Sequence, residues 1–317
     1  MDSLPLKAGP EASPVALVPE WATRPGASPS EADAAFGAGA ALAVLDGIVR
    51  SQPEWSGVWQ ARLALAAAQE TLTFFRRQQS AEALRDALLL TPPQGDPGPD
   101  GHVLRAWQAL SERRAAIATP LLRDLAADFG IRFDGILLDI PALLDDLEQA
   151  AGSPLHSAAV LLETIARDRP DAEPLGLWLA DWMIARRLRW PRPLPLIMTQ
   201  RSGPPFRTAG GRGRCKPAEP GYRAALCAAV ALAAADACRR AAELSRRAAQ
   251  LQDVSRKVRT KGAAKVIRLL LERDAVLATA PGTGLSRWAA GRLFERLESL
   301  GAVRELSGRN SFRIYGL

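Results

Sequence analysis

The sequence predicts a mainly α-helical protein that ends in a small winged helix. Three observations point there. Ala and Leu dominate the composition while aromatic residues are 6%, and both lose little on entering a helix. Apolar residues recur at three- and four-residue spacing in segments divided by Pro and Gly, the period of helices with one buried side. After Gly301 the pattern alternates about a polar turn, as in a β-hairpin.

Residues 1–30, rich in Pro, Ser, Gly and Ala, read as a poorly ordered tail. A helical bundle is expected over 31–200. Its first helix spans about 31–50, with Phe36, Ala40, Leu42, Leu45 and Val49 on the apolar side. A second covers about 57–77 and a third 80–90, with Ser80 as its N-cap. The stretch 91–101 holds four Pro and three Gly, so no helix passes through it. Helices follow near 103–114, 120–129, 141–151, 154–167 and 174–189, four of them opened by Pro, whose missing N–H costs nothing in a first turn. Segment 155–190 reads as two antiparallel helices joined at Arg169-Pro170-Asp171. PRPLP at 191–195 reads as a stiff connector. A Gly/Pro/Arg-rich linker is expected over 201–220 and one long helix over about 222–258, within a 221–261 unit. Most of the eight Trp are expected to fill core gaps.

The last part, 262–317, has the order helix, turn, helix, hairpin. An amphipathic helix over 262–276 takes its apolar side from Val266, Ile267, Leu269, Leu270 and Val276. A turn at 279–284 leads to a helix over 286–300, capped by Ser286 and closed by Gly301 in a left-handed conformation. Segments 302–306 and 311–315 form the hairpin around Ser307-Gly308-Arg309-Asn310. At 100° per residue, Ala289, Ala290, Leu293, Leu297 and Leu300 face inward, and Arg287, Trp288, Gly291, Arg292, Glu295 and Glu298 face outward.

Charge is divided along the chain. Residues 201–317 carry 23 Lys/Arg against 9 Asp/Glu, which leaves 18 against 25 for residues 1–200. A basic back half points to a polyanionic partner. Arg287 and Arg292 are the candidates for base edges, because the guanidinium fork donates two parallel hydrogen bonds to guanine. Arg256, Lys257, Arg259, Lys261, Lys265, Arg304, Arg309 and Arg313 are the candidates for phosphate, which positions without reading sequence. Glu295 and Glu298 on the outer face speak for the other use of a winged helix, docking a protein. Trp288 is expected to pack on a neighbouring segment.

Other signals carry less. The loop 209–216 (AGGRGRCK) lacks the full phosphate-loop pattern and a preceding strand. His102 and His156 lie in no metal or catalytic pattern, and no nucleophile–base set stands out. Asp139, Asp145, Asp146 and Glu148 read as a solvated acidic face. Cys215, Cys227 and Cys238 have no metal spacing and read as reduced thiols. The longest uncharged apolar run is 224–235, well short of the roughly 20 residues a membrane span needs. Neither a cofactor nor a metal is expected, nor enzymatic activity, and the expected location is the cytoplasm.

The segments PEWATRPG, AAFGAGAALAVLDGIVR, LGLWLADWMIARRLRWPRPLPL and LFERLESLGAVRELSGRNSFRIYGL resemble a family of bacterial proteins carrying a domain of unknown function, DUF1403. The likeness runs from about residue 19 to residue 317. The family is met mainly in alphaproteobacteria, often on plasmids. The resemblance implies no established activity and assigns no catalytic residue.

The expectation is therefore a binder of double-stranded DNA, a regulator or replicon-maintenance factor, possible as a homodimer through the bundle or the long helix. The alternative is an adaptor whose winged helix docks a protein partner such as a chromosome-organising complex.

Overall fold

The computed structural model describes residues 15–24, 30–92, 94–112, 116–208, 213–258, 262–278, 283–309 and 311–317. The chain is mainly α-helical with one small antiparallel sheet. The helices are α1 (Glu20–Thr23), α2 (Glu31–Ser51), α3 (Ser56–Phe74), α4 (Ala81–Leu89), α5 (Gly98–Leu110), α6 (Thr119–Asp128), α7 (Gly135–Leu138), α8 (Ile140–Gln149), α9 (Pro154–Asp168) and α10 (Glu173–Arg187). The long α11 (Tyr222–Ser255) follows, then α12 (Ala263–Glu272) and, after strand β1 (Val276–Leu277), α13 (Arg287–Ser299). Strands β2 (Arg304–Glu305) and β3 (Ile314–Gly316) close the chain. The sheet order is β1-β3-β2, with Tyr315 opposite both Val276 and Glu305.

The two expected caps form: Ser80 accepts from Ala83 N and Ser286 from Ala289 N. Ser153, not anticipated, caps α9 in the same way by accepting from His156 N. Gly301 takes a φ of 69° and ends α13 with Ala302 N donating to Leu297 O, the motif that satisfies the last carbonyls of a helix. The joint between α9 and α10 is a 3-10 turn at Pro170–Ala172, as the sequence predicts.

At 34 residues, α11 is about 50 Å long. It lies along α2. Buried Ala34, Ala38 and Ala41 on α2, and Ala233, Ala234 and Ala237 on α11, are small enough to let two backbones run close. Among the described helices α2 is the one long and apolar enough by composition to cross a membrane. Its Asp46, which interrupts the apolar run, pairs with Arg50 and accepts from Trp190 Nε1.

Trp59, Trp107, Trp178 and Trp182 are fully buried. Three donate to oxygens in the interior, Trp59 to Ala237 O, Trp107 to Thr71 Oγ1 and Trp178 to Ala106 O. Each of these three rings therefore adds apolar area without orphaning its N–H, whereas the buried Nε1 of Trp182 has no hydrogen-bond partner among the described residues.

Several expectations are corrected. The 262–276 helix stops at Glu272, and Val276 enters strand β1 instead, because β3 offers it a backbone partner. The break after α4 is shorter than 91–101, since α5 begins at Gly98 with Pro99 in its first turn. Within the N-terminal tail, 15–24 includes α1, with Ala22 buried and Trp21 stacked on Phe36, while 1–14 and 25–29 lie outside the described residues. PRPLP does not stand free: Pro193, Leu194 and Pro195 are buried. Likewise Phe206, in the 201–220 segment, is buried against Tyr222.

The chain after PRPLP is held by a buried acid. Asp181 is 1% exposed and accepts from Leu196 N at 2.8 Å and Ile197 N at 3.2 Å. Burial pushes its pKa from 3.8 up to about 8, against the two N–H donors, which favour the charged form. Between those values the folded chain holds more of this proton than the unfolded one. Its contribution is therefore greatest at low pH and fades as pH rises from about 4 towards about 8. Denaturant titrations across that range should show wild type losing stability relative to Asp181→Asn, which cannot titrate. Parallel curves for the two proteins would refute the assignment.

Candidate nucleic-acid interface

The C-terminal segments share one continuous hydrophobic core with the bundle. Val266 and Leu270 of α12 and Ala290, Leu293, Phe294 and Leu297 of α13 are buried. Phe294 stacks on Tyr315 of β3, with ring centroids 4.6 Å apart. The sheet is thereby fixed beneath α13, whose other face is open.

That open face carries Arg287, Trp288, Arg292, Glu295, Arg296 and Glu298, all exposed. Trp288 is 82% exposed. It does not pack on a neighbouring segment, contrary to expectation, because it sits with Arg292 at the centre of the face opposite Leu293 and Leu297. Trp288, Arg292 and Arg296 follow at four-residue steps, so they form one row along the helix. Arg296 was not among the residues expected here, since a helical wheel puts it at the edge of the outer face. Phe294 was not expected in the core, because its partner Tyr315 is remote in sequence.

Among the described residues no ion pair engages Arg287, Arg292, Arg296, Arg304, Lys257 or Lys265. Lys265 comes to the N-terminal end of α13: its Nζ is 3.9 Å from where a Cβ on Gly284 would be. Arg304 is exposed on the edge strand β2. Arg313 is half-buried, and a hydrogen bond with Tyr315 raises its pKa further. Arg256 is exposed at the end of α11, 3.6 Å from Asp253, and Lys257 is exposed beside it. Arg259 and Lys261 lie outside the described residues. Arg268 pairs with Glu272 one turn on.

Arg309 goes elsewhere. Its guanidinium makes a two-pronged bond to Asp86 of α4, at 2.5 and 2.8 Å. The hairpin is thus tied to the bundle rather than presented beside α13.

This bond is one of several across the seam between tail and bundle. Asp274 is 8% exposed. It receives Arg85 Nε at 2.6 Å and also pairs with Arg62. Arg62 in turn donates to Leu317 O. At Gly57 a Cβ would fall 2.6 Å from Glu272 O, so α3 and the end of α12 approach backbone to backbone, which only glycine permits.

The three Cys are free thiols, with Cys227 and Cys238 buried. Among the described residues no group of three His, Cys, Asp or Glu is arranged to hold a metal. His102 lies between Asp96 and Asp128, and Glu148 of the acidic face pairs with Arg186.

A family model, described as a protein of unknown function (DUF1403), matches residues 10–317. No curated protein matches the chain.

Proposed function

Because the chain belongs to the DUF1403 family, whose function is unknown, its role must come from its own surfaces, and we propose that it binds double-stranded DNA through a C-terminal winged helix. The winged helix comprises α12, β1, α13 and the β2–β3 hairpin. The order helix, strand, helix, hairpin, with β3 between β1 and β2, supports that reading. The observation that carries the function is the unpaired row of Arg292 and Arg296 beside Arg287 on the open face of α13. A major groove admits one helix. Arg287 and Arg292 reach base edges, and Lys265, Arg304 and Lys257 hold phosphates.

The test is a salt titration of the full chain on a fluorescent duplex. Counterion release makes log K fall linearly with log salt, with a slope of about −3 for the three phosphates held by Lys265, Arg304 and Lys257. A slope near zero, or no binding at low salt, would remove the proposal.

Trp288 and Phe312, both exposed, with Glu295 and Glu298, favour a second reading, a protein partner docked on α13. It expects a stable complex that survives high salt and is lost on Trp288→Ala.

A further inference from the structure

The end of α3 away from the tail borders a cleft of about 340 Å³, room enough for a small ligand. Phe74 at this end lies about 25 Å along the helix from Gly57, which meets α12. The cleft is therefore remote from the seam. It is lined by Thr73, Phe74, Arg76, Arg201, Ser202 and Arg214, which are three guanidiniums, two hydroxyls and one ring. The loop 209–216, which lacks a phosphate-loop pattern, supplies Arg214, while 209–212 lie outside the described residues.

Charge is the first feature that indicates a ligand. Arg201 pairs with Glu173 and lies over the Phe74 ring. No ion pair among the described residues engages Arg76, Arg207 or Arg214. Arg207 stands directly across an antiparallel bridge from Arg214, an arrangement in which like charges repel. Arg214 donates to Arg201 O. Burial lowers the Arg214 pKa, and Arg201 and Arg207 lower it further, while Glu70 and Glu173 oppose them. The group stays charged at any working pH. Four guanidiniums thus share this neighbourhood with two carboxylates, and one of those is already held by Arg201.

The second feature is backbone. Arg76 follows the cap of α3 with a φ of 58°, and Arg77 N donates to Leu72 O across it. Glycine is the favoured residue at such a helix end, because a Cβ is unfavourable there. The guanidinium, not the backbone, suits Arg76 to its place, and strained residues of this kind gather at ligand clamps.

We propose that this cleft binds the phosphate group of a small metabolite, as a monoester or as the free ion. Arg76 and Arg214 hold it, Arg207 adds charge across the bridge and Ser202 donates a hydrogen bond. A phosphate group offers three or more oxygens and nearly two charges, which suits guanidiniums from separate segments. A carboxylate is served in full by one arginine. Thr73 Oγ1 donates to Gln69 O, so its lone pairs are left for a hydroxyl on the ligand.

The test uses the full chain and no nucleic acid, so its result is independent of the duplex titration. Glucose 6-phosphate, inorganic phosphate, gluconate and glucose are titrated by calorimetry. The expected result is saturable binding of both phosphates at about 1 mM or tighter, at least about tenfold tighter than gluconate or glucose. Tighter glucose 6-phosphate identifies an ester as the ligand, and tighter inorganic phosphate identifies the free ion. Arg76→Gly should weaken phosphate binding at least about tenfold, the loss of one charge-assisted bond, while Tm holds or rises because the left-handed backbone is relieved. Arg207→Gln should weaken it less. Gluconate binding as well as glucose 6-phosphate, no saturation by either phosphate, or phosphate binding unchanged in Arg76→Gly overturns the proposal. So does a loss of duplex binding in Arg76→Gly of about tenfold, which would make the cleft part of a nucleic-acid track.

Discussion

R287E/R292E should weaken duplex binding at least about 100-fold at moderate salt while leaving the unfolding transition in place. Each good Arg contact to a base edge contributes about 1–3 kcal/mol, and reversal adds repulsion from the phosphates to the loss. Two such changes amount to about 3–6 kcal/mol, or two to four powers of ten. Neither side chain has an ion-pair partner among the described residues, and both are exposed. Surface changes of this kind alter stability by no more than about 0.5 kcal/mol. Anisotropy on the duplex and a thermal melt of the same sample separate the two effects. Binding within threefold of wild type would show that α13 does not face the nucleic acid. Loss of binding together with loss of the melt would attribute the effect to unfolding.

The largest effect on stability is expected at Asp274. Replacing it by Ala leaves Arg62 and Arg85 together in a buried site without the carboxylate that pairs with both. Burial, with Arg85 alongside, already holds the Arg62 pKa below the ordinary arginine value, although the group stays charged at any working pH. Removing one partner of a buried ion cluster costs about 3–5 kcal/mol, so Tm should fall by more than about 5 °C. The triple change R62L/R85L/D274L should recover much of the loss, because no orphaned charge remains. A Tm for Asp274→Ala within about 1 °C of wild type would mean that solvent reaches the cluster and that the seam is not closed.

Much of the helical architecture was legible in the sequence. Ser80 and Ser286 mark helix starts because a hydroxyl before an apolar run can cap the first turn. Arg169-Pro170-Asp171 marks a joint because Pro cannot continue a helix. Gly301 marks an end because it alone takes a positive φ without cost. What escaped depends on partners far along the chain. Val276 reads as the last residue of a helix, and with Leu277 becomes strand through Tyr315 and Ile314. Phe294 is assigned to neither face of the helix, and it is buried with Tyr315 stacked on it. Arg309 looks like an exposed hairpin tip, yet Asp86 lies 223 residues away in sequence and against it in space. No local pattern encodes that meeting. The candidate interface divides the same way: its helix and its arginines follow from a 100° wheel, but the seam behind it does not.

The backbone contact at Gly57 limits how this tail can be transplanted. With α3 pressed against the end of α12 and Asp274 neutralised from outside, a fragment cut after α11 would carry a buried aspartate stripped of both its arginines. Grafted onto another carrier, it would keep its helices and lose its shape. Whatever the tail recognises, it is therefore presented at one fixed attitude to the bundle, as a bit is set in its brace.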